Sequence, residues 1–137
     1  MDIFTPEERS ALMSRIRGKN TKPELAVRRL LHSQGFRFRL HRRDLPGTPD
    51  IVLPQYRAVV FVHGCFFHSH KGCRFAYIPK TRRSFWRAKF AHNQKRDREA
   101  KAALAKLGWN SVVIWECELN HLDKLARRVS RAILQSR

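Results

Sequence analysis

The stretch Phe61-Val62-His63-Gly64-Cys65-Phe66-Phe67-His68-Ser69-His70-Lys71-Gly72-Cys73 constrains this chain more than any other part of it. It sets three histidines, two of the three cysteines in the sequence and two adjacent phenylalanines at the end of an apolar strand and in the loop after it. A plain core segment has no reason to mix metal ligands with aromatics in a polar, glycine-containing loop. Two sets of groups therefore share the run, a metal clamp and a remainder left over for chemistry.

Cys65, His70 and Cys73 supply three ligands within nine residues, and Cys117 arrives at the end of a late strand. Together they form a Cys3His set, a closed tetrahedral combination suited to structural zinc. It consumes every cysteine in the chain; the alternative is three small buried thiols beside a merely polar His70. The start, Met1-Asp2-Ile3-Phe4-Thr5-Pro6, lacks the charged and apolar regions of a signal peptide. The expected location is cytoplasmic, where thiols stay reduced and serve as ligands or core residues rather than a disulfide framework.

A length of 137 residues with 42% hydrophobic content suits one compact domain over 1–137, with 1–20 as a basic helical arm of the same unit. The formal charge of +18, from 29 Lys and Arg against 11 Asp and Glu, points to a polyanionic partner. Nucleic acid comes first and acidic membrane second. The longest apolar run, Ala58 to Val62, is far short of the roughly 20 residues a spanning helix needs.

In chain order, Thr5-Pro6-Glu7-Glu8 starts a helix running to about Arg17, whose basic residues either lie on phosphates or are simply solvated. Thr21-Lys22-Pro23-Glu24 repeats that start signal for a helix stopping at Gly35. Phe36 to Leu40 alternates as a strand with one buried face. Asp50 to Leu53 and Arg57 to Val62 read as a hairpin around Pro54-Gln55. A turn centred near 55 and 56 would bring Asp50 opposite Val62 and His63. Thr81 to Leu107 is helical and basic, Asn110 to Cys117 is a strand, and Asn120 caps a last helix with Leu122, Leu125, Ala126, Val129 and Ile133 on its core stripe. This order indicates α/β or α+β with a small mixed β-sheet flanked by helices.

Asp50, His63 and His68 are left once the clamp is filled. Phosphodiester hydrolysis needs a cation on the scissile phosphate and a base for the attacking water. Asp50 is the natural Mg²⁺ ligand, because hard cations prefer oxygen, and either His63 or His68 is the natural proton acceptor. Glu24 is explained by helix capping and could add a second carboxylate. Asp97 could orient a histidine or pair with neighbouring arginines.

With these residues in place, the chain resembles the very-short-patch repair (Vsr) mismatch endonucleases. The match rests on Leu45-Pro46-Gly47-Thr48-Pro49-Asp50, Phe61 to His68, Thr81-Arg82 with Phe85-Trp86, Asn93 with Arg96-Asp97-Arg98, and Gly108-Trp109 with Trp115-Glu116-Cys117. The resemblance implies a restriction-endonuclease-like core that uses Mg²⁺ to nick one DNA strand 5′ to the thymine of a T:G mismatch. It implies that Asp50 ligates the magnesium with the backbone carbonyl of Val62. It also implies that His68 is the water-activating base, that His63 supports metal-bound waters and is oriented by Asp97, and that Glu24 joins the site. Cys65, His70, Cys73 and Cys117 would hold the zinc. Two departures stand out: position 62, often threonine in the family, is valine, and the loop after His68 is one residue longer.

Phe66, Phe67 and Trp86 are the aromatics that core packing explains least, and the resemblance makes them a wedge beside the mismatch. In an extended segment Phe66 and Phe67 would point opposite ways. Met13 on the first helix is the candidate for the opposite groove, with core packing the alternative for it and for Trp86. The expected partner is double-stranded DNA with a T:G mismatch, mismatch-repair proteins are candidate protein partners, and a monomer suffices to nick one strand. Two rival expectations are a nickase of the same fold with another DNA target and a zinc-stapled DNA-binding module without catalysis.

Overall fold

The computed structural model describes residues 21–40, 42–74, 76–135. The first predicted helix, with Met13 on it, lies outside them.

Thr21 caps helix α1 (Lys22–Ser33), its hydroxyl accepting from the Glu24 amide at 3.4 Å, with Pro23 in the first turn. Gly35, at φ 84°, ends it. The predicted strand from Phe36 shortens to β1 (Arg39–Leu40), because Phe36 turns into the core and only the last two residues pair. β2 (Ile51–Leu53) and β3 (Ala58–His63) are antiparallel. Ile51 faces Val60 and Leu53 faces Ala58, so continuation of this register brings Asp50 opposite Phe61, one residue short of the expected pairing. The turn itself is centred between residues 55 and 56 as expected, a 3₁₀ turn over Pro54–Tyr56 closed by Arg57 in the left-handed region, and counting outward from that centre sets Asp50 against Phe61 rather than Val62 or His63.

Helix α2 (Arg83–Lys106) starts two residues later than predicted, behind Arg82 at φ 58° and without a side-chain cap. β4 (Asn110–Trp115) runs parallel to β3, completing a mixed sheet in the order β1-β2-β3-β4. Cys117 falls beyond the strand, on a 3₁₀ turn (Glu116–Asn120), because the Glu118 carboxylate takes the Trp115 amide at 3.0 Å and curls the chain. Helix α3 (Leu122–Leu134) is therefore preceded by His121, not capped by Asn120, and Leu122 stays half exposed off the core stripe.

The sheet is covered on both faces, which explains why β2 and the start of β3 are continuously apolar rather than alternating. On one face Val27 and Leu31 of α1 and Leu125, Val129 and Ile133 of α3 pack on Ile51, Leu53, Val60, Val112 and Ile114. On the other, Leu104 of α2 joins Val52, Val59, Leu45 and Trp109. Gly47, at φ 75°, lets the chain before Asp50 run under α2; a Cβ there would stand 2.6 Å from the Ala100 Cβ. Among the described residues no helix is long and apolar enough to cross a membrane.

Candidate active site and metal clamp

The ends of β2 and β3 and one seam of α2 build the site. Asp50 enters β2 and accepts the Val62 N–H at 2.7 Å. Asp50 thus touches the amide of Val62. Its other neighbour is Glu24, buried at 5% exposure at the start of α1, with which it shares a hydrogen bond. Glu24 also holds Arg28 at 3.2 Å, so its carboxylate is spent on the site rather than on the second half of a capping box. Burial pushes the Asp50 carboxyl up to about 7; the Val62 amide opposes this and the Glu24 charge adds to it. Two carboxylates forced together in this way suit a divalent cation, which removes their repulsion and prefers oxygen ligands.

His63 closes β3 and is buried. His68 comes back beside it because residues after Gly64 turn rather than extend, with His68 N donating to Gly64 O at 3.2 Å and His70 N to Cys65 O at 2.9 Å. The two imidazoles stack in parallel with centroids 3.8 Å apart. Asp97 reaches up from α2: its carboxylate lies 2.7 Å from His68 Nδ1 and 3.8 Å from His63 Nε2. Asp97 is expected to orient His63; it lies in ion-pair range of that ring, but only His68 is within hydrogen-bond distance. Burial and the His68 charge push the His63 imidazole down to about 4, so it is neutral at physiological pH. His63 Nδ1 is buried without a hydrogen-bond partner among the described residues. Asp97, despite burial that opposes it, is held below the ordinary carboxylate range by the His68 hydrogen bond and the two histidines.

The same turn places Cys65, His70 and Cys73 against Cys117, on the 3₁₀ turn that follows β4. One ligand atom from each of the four lies within 4.8 Å of every other, so the cluster can hold a metal ion. Burial is the largest influence on both Cys65, pushed up to about 12, and Cys117, also raised. Without a cation, thiols this crowded resist ionising.

The aromatics do not splay. Phe66 and Phe67 meet edge to face at 5.1 Å, because the turn sets their rings on the same side. Phe66 also touches Trp86 at 5.2 Å, the buried Phe90 at 5.2 Å and Tyr77 at 5.1 Å. Phe66 is thus the floor of an aromatic cluster, with Phe67 and Trp86 half-buried and Tyr77 exposed. Tyr77 had no assigned role in the sequence reading. At the edge of the cluster Arg82 lies 4.2 Å over the Phe85 ring, which itself meets Trp86.

One seam of α2 serves the aromatic cluster, the paired histidines and the core beneath them. Phe90 packs into the aromatic cluster and Asn93 donates to the Phe67 carbonyl at 2.8 Å. Asp97 meets the histidines, Ala100 lies against Gly47, and Leu104 enters the core. Their alternating spacing of three and four residues keeps them on one helix face. Asn93 and Trp115 escaped assignment from sequence, although both lie in motifs that carried the resemblance.

The family model described as DNA mismatch endonuclease Vsr matches residues 1–74. The type II nicking enzyme V.XorIIP of Xanthomonas oryzae pv. oryzae is 56% identical over 128 residues, covering 93% of each chain. The type II nicking enzyme V.NmeAIP of Neisseria meningitidis serogroup A is 42% identical over 139 residues, covering 96% of this chain and 99% of its own. The DNA mismatch endonuclease Vsr of Escherichia coli K12 is 40% identical over 124 residues, covering 90% of this chain and 79% of its own. A model matched over more than half the chain, relatives aligned along nearly all of it and a carboxylate and imidazole site at one sheet end agree, and the chain belongs to the Vsr family of DNA endonucleases.

Proposed function

We propose that this endonuclease is a magnesium-dependent mismatch nickase with a restriction-endonuclease-like core in a single domain, cutting one strand 5′ to the thymine of a T:G pair. The single observation that carries the reading is the Asp97–His68 contact of 2.7 Å beside the paired carboxylates of Asp50 and Glu24.

Asp50 and Glu24, with the Val62 carbonyl, are the groups that would hold Mg²⁺. When bound, the ion supplies positive charge at the scissile phosphate and acidifies water in its shell. His68 is the base in this reading: with Nδ1 committed to Asp97, its Nε2 is free to take the proton of the attacking water, and the Asp97 charge stabilises the imidazolium that forms. His63, neutral and with an unpartnered Nδ1 among the described residues, positions water rather than carrying the proton. Cys65, His70, Cys73 and Cys117 are read as a structural zinc clamp. Tetrahedral zinc bonds of roughly 2.3 Å to sulfur and 2.0–2.1 Å to nitrogen imply S to N edges of about 3.6 Å. The Cys117 Sγ to His70 Nδ1 distance of 3.5 Å fits that edge.

Phe67 and Trp86, braced by Phe66, are the stacking surface offered to a mismatched step, where unstacking costs least. The net charge of +18 serves the duplex backbone. A DNA substrate places such an enzyme in the bacterial cytoplasm, with mismatch-repair proteins as candidate partners and one chain sufficient for one nick. The test is cleavage of T:G, U:G and fully paired duplexes in parallel. Preference for T:G supports the reading, and equal cutting of the paired duplex moves the protein to a nickase with another target.

A further inference from the structure

Trp115, the last residue of β4, stands between the metal clamp and the paired imidazoles. Its indole stacks on His70 with centroids 4.0 Å apart and planes 5° from parallel. The same indole meets His63 edge-on at 5.1 Å and His68 edge-on at 6.3 Å. The parallel ladder pairs Trp115 directly with His63, which puts both side chains on one sheet face. An independent brace fixes the backbone that carries the indole. Trp115 N donates to Glu118, Arg128 grips both Glu118 oxygens at 2.7 and 2.9 Å, and Arg128 also donates to the Val113 carbonyl at 3.0 Å. The plane of His63 needs such support. Its Nδ1 has no hydrogen bond among the described residues and its Nε2 is 3.8 Å from Asp97, so ring contacts hold it.

We propose that Trp115 is a positioning residue whose single indole, seated between His70 and the His63–His68 stack, sets the plane of the reacting imidazoles against the cysteine and histidine clamp. The proposal rests on the assignment of His68 as base. It gives the clamp a physical route to the chemistry: a shift of His70 moves the indole stacked on it, and the indole moves His63 and the ring stacked on that. Small displacements suffice, since a misplacement of about 1 Å can cost on the order of 10²-fold in rate.

The test compares Trp115→Leu, which keeps apolar bulk but no ring, with Trp115→Phe, in zinc-loaded full-length protein. Four quantities are read: single-turnover nicking rate on a T:G duplex, affinity for that duplex, zinc content, and histidine ring resonances in ¹³C-labelled protein. Trp115→Leu should keep its zinc and duplex affinity, slow nicking by about 10- to 100-fold, and move the His63 and His68 ring resonances as the indole ring current is lost. Trp115→Phe should recover most of the rate. Wild-type nicking by Trp115→Leu overturns the proposal. So does joint loss of zinc, affinity and rate that Trp115→Phe does not repair, which marks a residue needed only for the fold. If wild-type protein nicks no duplex, the assignment of the base fails, and unmoved His63 and His68 resonances in Trp115→Leu would then separately sink the positioning role.

Discussion

Replacing Asp50 by asparagine should abolish nicking and at the same time make the metal-free protein more stable. Burial and the neighbouring Glu24 hold the Asp50 carboxyl near 7, against an ordinary value of 3.8. An acid whose folded pKa is raised destabilises the fold once pH exceeds its unfolded pKa, because the unfolded chain releases a proton that the folded chain retains. The penalty grows from about pH 4 to pH 7 and is then constant. Three pH units at roughly 1.4 kcal/mol each set a ceiling of about 4 kcal/mol, and relaxation with water entry brings the realised gain to roughly half of that. Asparagine keeps an oxygen for the Val62 amide, so little is lost in exchange. Asp50→Asn should therefore unfold about 4–8 °C above wild type in chelator at pH 8, with the gap closing as pH falls from about 7 to about 4. Added Mg²⁺ should stabilise wild type, by about 2.7 kcal/mol at a hundredfold excess over its Kd, and leave Asp50→Asn unmoved. The assay is thermal melting across pH with and without Mg²⁺. A variant less stable than wild type at pH 8, or a gap independent of pH, refutes the strained-carboxylate argument.

The other substitutions separate the remaining parts. Asp97→Asn and His68→Ala should each lower the single-turnover rate by about 10²- to 10⁴-fold without weakening duplex binding; a double variant as slow as His68→Ala alone would show the pair acting as one unit. Cys117→Ser should release zinc, measured by metal analysis, and lower both melting temperature and nicking although it touches neither carboxylate; full activity in a zinc-free variant would contradict the clamp. Phe67→Ala should narrow the preference for T:G over paired DNA by roughly 1–3 kcal/mol in competition binding, as stacking losses do, whereas equal loss on both duplexes would assign Phe67 to general packing.

The Cys and His loop was readable from sequence because its ligands lie close together in the chain and leave no cysteine over. The sheet was readable too, since β2 and β3 are short apolar runs separated by Pro54. What sequence obscured were effects of local geometry and long range. A turn centred between residues 55 and 56 sets Asp50 opposite Phe61, so Asp50 reaches Val62 with its side chain rather than by ladder position. Glu118 ended β4 early and displaced the expected cap from Asn120. Helix α2 read only as a helical, basic segment, and its inward seam was hidden because Asn93 and Asp97 occupy positions where a core helix carries apolar residues. Those two polar residues are turned inward, and periodicity cannot tell an inward polar group from an outward one. Sequence likewise had no means to rank His63 against His68, whose different distances to Asp97 arise from the fold.

Strand-resolved mapping of the cut tests the central claim most directly, with a short T:G duplex labelled on each strand and incubated with enzyme in Mg²⁺ or in chelator. The account predicts one Mg²⁺-dependent nick, 5′ to the mismatched thymine, with the guanine strand intact and no product from Asp50→Asn. Cutting of both strands, cutting at a site unrelated to the mismatch, or a nick that persists in chelator would contradict it.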